Sequence, residues 1–156
     1  MEIRDATPED ADAACDVLTS SISELCSADH GNDPAILNKW LSNKTPQIVA
    51  SWARQPGNSL LVAVEGAAIR GVGSVTDAGE ITLNYVAPDS RFRGVSRALL
   101  AALEARAAER GSTRCTLTST KTAHRFYLSR GYVDSGPPLE ESGARSDYRM
   151  FKRLAD

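Results

Sequence analysis

The chain's pattern of apolar and polar positions changes period several times, and each change marks an element. Residues 1–6 read as a short first strand, and Thr7 to Leu25 as a helix. Thr7 is suited to cap that helix. Pro8 takes the first helical position, where a missing N–H costs nothing, and acidic residues fill the first turn. "SADHGNDP" reads as a loop, and "PAILNKWL" and "TPQIVASWARQ" as two short helices. After "QPGNS" the texture becomes strand-like. "SLLVAVE" and "IRGVGSV", parted by Gly66, and "EITLNYV" after the turn "TDAGE" predict an antiparallel meander.

Helical periodicity returns from Gly94 to Arg110. Val95, Leu99 and Leu103 recur every fourth residue with Ala98 and Ala102 beside them, Arg106 and Arg110 suit the C-terminal end, and Gly111 supplies the stop. "RCTLTS" then reads as a strand, "TAHRFYLSR" as a short helix closed by Gly131, and "YVDS" as a strand. "GPPLEESGARS" reads as a long loop and "DYRMFKRL" as the last strand. This order predicts an α/β (α+β) fold with a single mixed, mostly antiparallel central sheet flanked by helices. With no repeat, linker or low-complexity tract, residues 1–156 are expected to form a single domain.

Composition adds the class. With 42% hydrophobic and 24% charged residues the chain reads as a soluble globular protein. No apolar run approaches the roughly 18 residues of a membrane span, and the acidic start lacks a signal-peptide pattern, so no membrane partner is expected. Cys15, Cys26 and Cys115 are odd in number and form no CxxC pair, which fits free thiols in a reducing cytoplasm. The net charge of −2 conceals an asymmetry. Residues 1–33 hold nine acidic residues against Arg4, and residues 91–130 hold nine basic residues against Glu104 and Glu109.

The basic excess peaks at "SRFRGVSRAL", where Arg91, Arg93 and Arg97 crowd the start of a helix. Cations there oppose the helix dipole, so an anion is expected to sit among them. A Walker loop is absent. Gly71 and Gly73 lack a third glycine and lie inside a strand, so the dinucleotide fingerprint fails as well. What remains is Arg91-x-x-Gly94-x-Ser96 between a Pro-containing turn and a long helix. Unpaired N–H groups, a glycine permitting close approach, and permanently charged side chains together suit a pyrophosphate.

At this point the residues resemble a family. "EITLNYVAPDSRFRGVSRALLAALEARAAERG" is similar to the core motif of the GNAT superfamily of N-acetyltransferases, [QR]-x-x-G-x-[GA] after a strand. "TAHRFYLSRGY" resembles its second signature through Ala123, Phe126, Tyr127, Gly131 and Tyr132. Residues 1–55 match in element pattern only. The resemblance implies a GNAT-like fold over the whole chain and acetyl-CoA as cosubstrate. Val86 would pair with the pantetheine arm, the amides of Phe92, Arg93, Gly94, Val95, Ser96 and Arg97 would hold the pyrophosphate beside Arg91, and Asn84 would offer its backbone N–H to the thioester carbonyl. The family's sheet opens between the strand ending at Val86 and the one starting near Arg114. Ser96 departs from the usual Gly or Ala; its hydroxyl either crowds the phosphate or donates to it.

Acetylating an amine requires a proton to leave the ammonium, an oxyanion to be stabilised, and the departing thiolate to gain a proton. Tyr127 stands where the family places that last donor, and it also belongs to the cofactor site. Glu80 stands where some members carry the general base, while others use a water chain, and both remain open here. Phe126 reads as core. His124 reads as an exposed helical residue and His30 as a candidate for the substrate mouth; two histidines without spaced partners predict no metal.

The function expected is N-acetyl transfer, by direct attack in a ternary complex, to a small-molecule or peptide amine. A catalytically silent CoA-binding sensor or scaffold is the alternative, and a homodimer is left open. A nucleic-acid partner is not expected, because residues 91–130 carry only Phe92, Phe126 and Tyr127 as aromatics. Asp29, Asp33, Glu140 and Glu141, in the loops that flank the family's acceptor mouth, predict a cationic amine.

Overall fold

The computed structural model describes residues 1–141 and 145–154. Strand β1 (Glu2–Asp5) leads through a 3-10 turn at Pro8–Asp10 into α1 (Ala11–Leu25). Thr7 opens the turn as expected: its N–H donates to the Asp10 carboxylate at 2.8 Å, the reciprocal half of a capping box. The segment read as a loop instead contains a single helical turn, α2 (Ser27–His30), which ends where Gly31 enters the left-handed region at φ 62°. Helices α3 (Pro34–Leu41) and α4 (Pro46–Arg54) follow the reading, capped by the side chains of Asp33 and Thr45.

The meander is β2 (Asn58–Glu65), β3 (Ala68–Thr76) and β4 (Ile81–Val86), giving a sheet in the order β1-β2-β3-β4. Helix α5 (Val95–Glu109) crosses to β5 (Arg114–Ser119), and α6 (Lys121–Ser129) leads to β6 (Val133–Asp134). The stretch read as a long loop holds β7 (Leu139–Glu141), which pairs with the last strand, β8 (Arg145–Arg153). The second sheet runs β5-β8-β6, and all its pairings are antiparallel. One parallel bridge, Glu80 to Thr116, joins the two sheets. Beyond that bridge β4 is an edge strand, and the mixed sheet opens into a cleft.

A bulge sets how the cleft is lined. Ser74 pairs with Leu83 and Val75 with Ile81, so Thr82 is an extra residue in β4. The insertion reverses side-chain parity along the strand. Ile81 therefore enters the core beneath α5, with Leu99, Leu103 and Cys115, while Leu83 enters the core beneath α1, with Leu18, Val62 and Val72.

Helix α5 lies close to β3 because Gly71 and Gly73 leave room. A Cβ on Gly73 would meet Leu103 Cδ1 at 2.9 Å and Leu99 Cγ at 3.0 Å, and one on Gly71 would meet Val95 Cγ1 at 2.9 Å. The two glycines that fail as a nucleotide fingerprint thus seat the helix that carries the basic turn. Gly79, at φ 89°, lets β4 start against the backbone carbonyl of Arg114, which a Cβ would strike.

Candidate functional site

A cavity of about 360 Å³ opens between β4 and β5, walled by the start of α5 and by Ser21, Leu25 and Cys26 at the end of α1. Asn84, Val86, Arg91, Phe92, Gly94, Val95, Ser96, Arg97 and Tyr127 all line it. These residues come from two segments about thirty residues apart and from four elements, and the fold brings them to one wall. Arg93 does not line the cavity; it faces Glu65 at 3.7 Å between exposed side chains. Glu80 lies outside it too.

The basic turn owes its shape to the backbone. A 3-10 turn at Pro88–Ser90 leaves β4, Arg91 is extended, Phe92 takes φ 64° and Gly94 takes φ 79°. Nothing lies within 4 Å of a Cβ built on Gly94, so the glycine is required by its left-handed conformation and not by packing. The first intrahelical bond runs from Ala98 N to Gly94 O at 3.0 Å. The N–H groups of Val95, Ser96 and Arg97 therefore have no partner within the helix and lie at the cavity wall. Phe92 is 91% exposed and has the Arg91 guanidinium 4.6 Å from its ring centre.

Tyr127 is buried at the inner end of the cavity, against Phe126 and Tyr132 in edge-to-face contacts of 5.2 and 5.6 Å. Its hydroxyl oxygen accepts a hydrogen bond from Asn84 Nδ2 at 3.3 Å. Burial pushes the phenol up to about 12, against the smaller opposing effect of that bond. It stays protonated at neutral pH, with its own proton free to be donated. Asn84 Oδ1 is buried with no partner. Phe126, read as core, packs against the core and lines the cavity as well.

Several lining residues escaped the sequence reading. Cys26, at the junction of α1 and α2, is pushed up to about 11, chiefly by burial and then by Asp29. Tyr85 is likewise raised by burial. Neither lies in a motif, and only the packing of α1 against β4 reveals them.

The acidic loop residues take other roles than expected. Asp29 is buried, and its Oδ1 accepts from Thr122 N at 3.0 Å, which ties α2 to the first turn of α6. Asp33 Oδ1 accepts from Ala35 N and Ile36 N at the start of α3. Both are helix-terminal acceptors; Asp29 is buried, while Asp33 remains exposed at the start of α3. The side chains of Glu140 and Glu141, and residues 142–144, lie outside the described residues.

His30 is buried rather than at a mouth. Its Nε2–H donates to Ile22 O at 2.8 Å and its Nδ1 accepts from Asn32 N at 3.0 Å. His124 pairs with Asp134 at 2.8 Å and stacks on Tyr148 at 3.7 Å.

On the opposite face of the sheet a groove of about 520 Å³ holds Glu80 with Arg114, Thr116, Ser135, Arg149, Met150 and Phe151. Ile81, Thr82, Leu117 and Thr118 line both spaces. The cavity and the groove therefore share these four residues as a common wall at the gap between β4 and β5.

The sequence matches the family model described as an acetyltransferase (GNAT) domain over residues 26–152. Among curated proteins no significant match is found. A crystal structure described as a GCN5-related N-acetyltransferase (aminotransferase, class-II) from Rhodopseudomonas palustris is similar with a TM-score of 0.83 and 28% identity, over 98% of this chain and 95% of that one. The PaiA N-acetyltransferase from Thermoplasma acidophilum, in complex with coenzyme A, is similar with a TM-score of 0.80 and 17% identity, over 98% of both chains. The aminoglycoside 6'-N-acetyltransferase from Enterococcus faecium has a TM-score of 0.75 and 16% identity, over 100% of this chain and 98% of that one.

Proposed function

Because the chain belongs to the acetyltransferase (GNAT) family, we propose that it is an acetyl-CoA-dependent N-acetyltransferase that passes the acetyl group directly to a primary amine while both substrates are bound. The observation that carries this reading is the adjacency of two spaces that share Ile81, Thr82, Leu117 and Thr118 as a common wall. An amine in the groove and a thioester in the cavity would approach each other there without leaving the protein, and that proximity is itself a large part of the rate enhancement.

The residues suit the cosubstrate. Three unpaired N–H groups at the start of α5, with Arg91 and Arg97, suit a pyrophosphate. The unpaired edge of β4, which includes Val86, and the orphaned Asn84 Oδ1 suit the amides of an extended pantetheine arm. The PaiA relative, which is in complex with coenzyme A, supports the same ligand class. When bound, acetyl-CoA supplies an activated acetyl thioester.

The chain's groups divide the remaining work. Glu80, lining the groove, takes the ammonium proton directly or through water. The Asn84 backbone N–H stabilises charge on the carbonyl oxygen. As the amine nitrogen adds to the carbonyl carbon and the C–S bond then breaks, Tyr127 donates its phenolic proton to sulfur, and the second proton shed by the nitrogen as it becomes an amide restores the phenol through water. Initial rates should give intersecting lines when acetyl-CoA and amine are varied together, and intact-mass spectra with acetyl-CoA alone should show no acetylated protein. Parallel lines with a stable acetyl-protein would replace direct transfer by a covalent route. Tight acetyl-CoA binding with no turnover of any amine would return the silent sensor.

A further inference from the structure

The groove opposite α5 has a charge pattern that its packing does not explain. On β5, Arg114, Thr116 and Thr118 face away from α5, while the alternate residues Cys115 and Leu117 enter the core beneath it. The register sets Arg114 opposite Arg153, Thr116 opposite Phe151 and Thr118 opposite Arg149. The groove side of the second sheet thus carries three arginines within two adjacent strands.

Like charges directly opposite one another, as at Arg114 and Arg153, weaken a strand pair. Among the described residues no carboxylate lies within ion-pairing distance of Arg114, Arg149 or Arg153. Glu80 is the one carboxylate that lines the groove, and it stands at the bridge to Thr116. The Arg114 guanidinium leans inward, with its carbon 5.8 Å from the centre of the Phe151 ring. It therefore sits between its own strand position and that of Arg149. Among the described residues, the groove is a concave, hydroxyl-lined surface with more guanidinium groups than carboxylates, and it lies against the gap.

We infer that the acceptor amine also carries a carboxylate, which Arg114 and Arg149 hold in the groove while the amine reaches the gap. This rests on the reading of the groove as the acceptor side of an acetyltransferase. Guanidinium groups bind carboxylates in short, charge-assisted pairs, and the hydroxyls of Thr116 and Ser135 add neutral donors. The Thr116–Phe151 pair lies two residues along the strand from Thr118 at the gap, about 7 Å away. A separation of about 7 Å is too long for an α-amino group and its own carboxylate, and matches an ω-amino acid or the side-chain amine of lysine. The acceptor class becomes an ω-amino acid, in place of the cationic amine expected from the acidic loops, because Asp29 is buried in a helix-terminal bond and the groove itself is basic.

The test compares acids with their own amides. Lysine, 4-aminobutanoate, 5-aminopentanoate and, as short-span comparisons, glycine and β-alanine are assayed against the matching carboxamides, with free CoA release as readout. Acetyl-CoA binding is first measured by calorimetry in the absence of amine. The expected result is a carboxylate preference in kcat/KM of about 10-fold or more for the acids that turn over. Arg114→Ala with Arg149→Ala should erase that preference and leave the acetyl-CoA dissociation constant unchanged.

Equal turnover of acids and amides overturns the inference. So does turnover of neither by protein that binds acetyl-CoA, or a clear preference for phosphoethanolamine over every carboxylate. A dimer in sedimentation that the double variant dissociates would assign the face to a second copy and overturn it as well. Failure to bind acetyl-CoA would bring down the enzyme reading itself and is seen separately in the calorimetry. The comparison of acids with amides on the unaltered protein stands even if the double variant folds poorly.

Discussion

Tyr127→Phe isolates one proton. The ring survives, so the edge-to-face contacts with Phe126 and Tyr132 remain and no cavity forms. What is lost is the acceptor for Asn84 Nδ2, a bond of 3.3 Å, in a side chain whose Oδ1 is already unpartnered. A long, weak bond and one newly orphaned donor together cost about 1 kcal/mol. In a protein of this size that lowers Tm by roughly 2–4 °C.

The catalytic effect should be larger. Burial raises the phenol to about 12, and it raises Cys26, a thiol lining the same cavity, to about 11. The same desolvation that raises these two groups also disfavours a bare thiolate leaving into the cavity, so a neutral donor beside it assists departure. Removing that acid should lower the chemical step by about 10²-fold. Acetyl-CoA affinity should change by less than about 2-fold, since the lost group acts on the leaving sulfur rather than on the bound thioester. Single-turnover quench measurements at saturating amine isolate that step. A rate within about 3-fold of the unaltered protein, with the small Tm loss present, would leave Tyr127 as a packing residue and refute the reasoning.

The phenol's high value also means that its ionisation removes no activity below about pH 11, and a Tyr127-dependent alkaline loss in the pH–rate profile at pH 8–9 would contradict it. Gly94→Val places a β-branched residue at φ 79°; the turn should rearrange and calorimetry should show acetyl-CoA binding weakened by about 10-fold or more, while Arg91→Ala should cost about 1–3 kcal/mol of the same affinity. Gly73→Ala pushes against Leu99 and Leu103 of α5, so thermal unfolding should show a loss of about 1–3 kcal/mol together with weaker acetyl-CoA binding. Asp10 is held down to about 2, first by its hydrogen bond with Arg4, so the stability it contributes is present above the ordinary carboxylate value of 3.8 and disappears as pH falls from about 4 through 2. Discounted for solvent around Arg4, Asp10→Asn should cost about 1 kcal/mol at pH 7 and nothing below pH 2 in denaturant titrations.

What was legible in the sequence is what depends on neighbours along the chain. Thr7 and Thr45 stand directly before helical starts, and each helix begins there, because capping is a contact across two or three residues; Asp33, read as loop charge, caps α3 by the same local contact. The basic turn with Gly94 was readable for the same reason: unpaired N–H groups and a left-handed residue are local properties of one loop. Tyr127 was readable through its motif and through nothing in its periodicity.

The tertiary structure alone decided the rest. "EITLNYV" alternates as though Ile81 and Leu83 shared a face, yet the bulge at Thr82 sends them to different cores. A bulge is specified by the partner strand's register, which no local pattern records. Asp29 reads as surface charge until α2 folds against the start of α6, where an unpaired N–H takes its oxygen. The strand β7 was hidden in a polar loop because its partner, β8, provides the pairing. The groove with Arg114 and Arg149 is assembled from β4, β5, β8 and Ser135 just after β6, residues scattered over nearly half the chain. Its charge excess exists only where those strands lie side by side: the sequence determined which groups the protein carries, and the register determined which of them face one another.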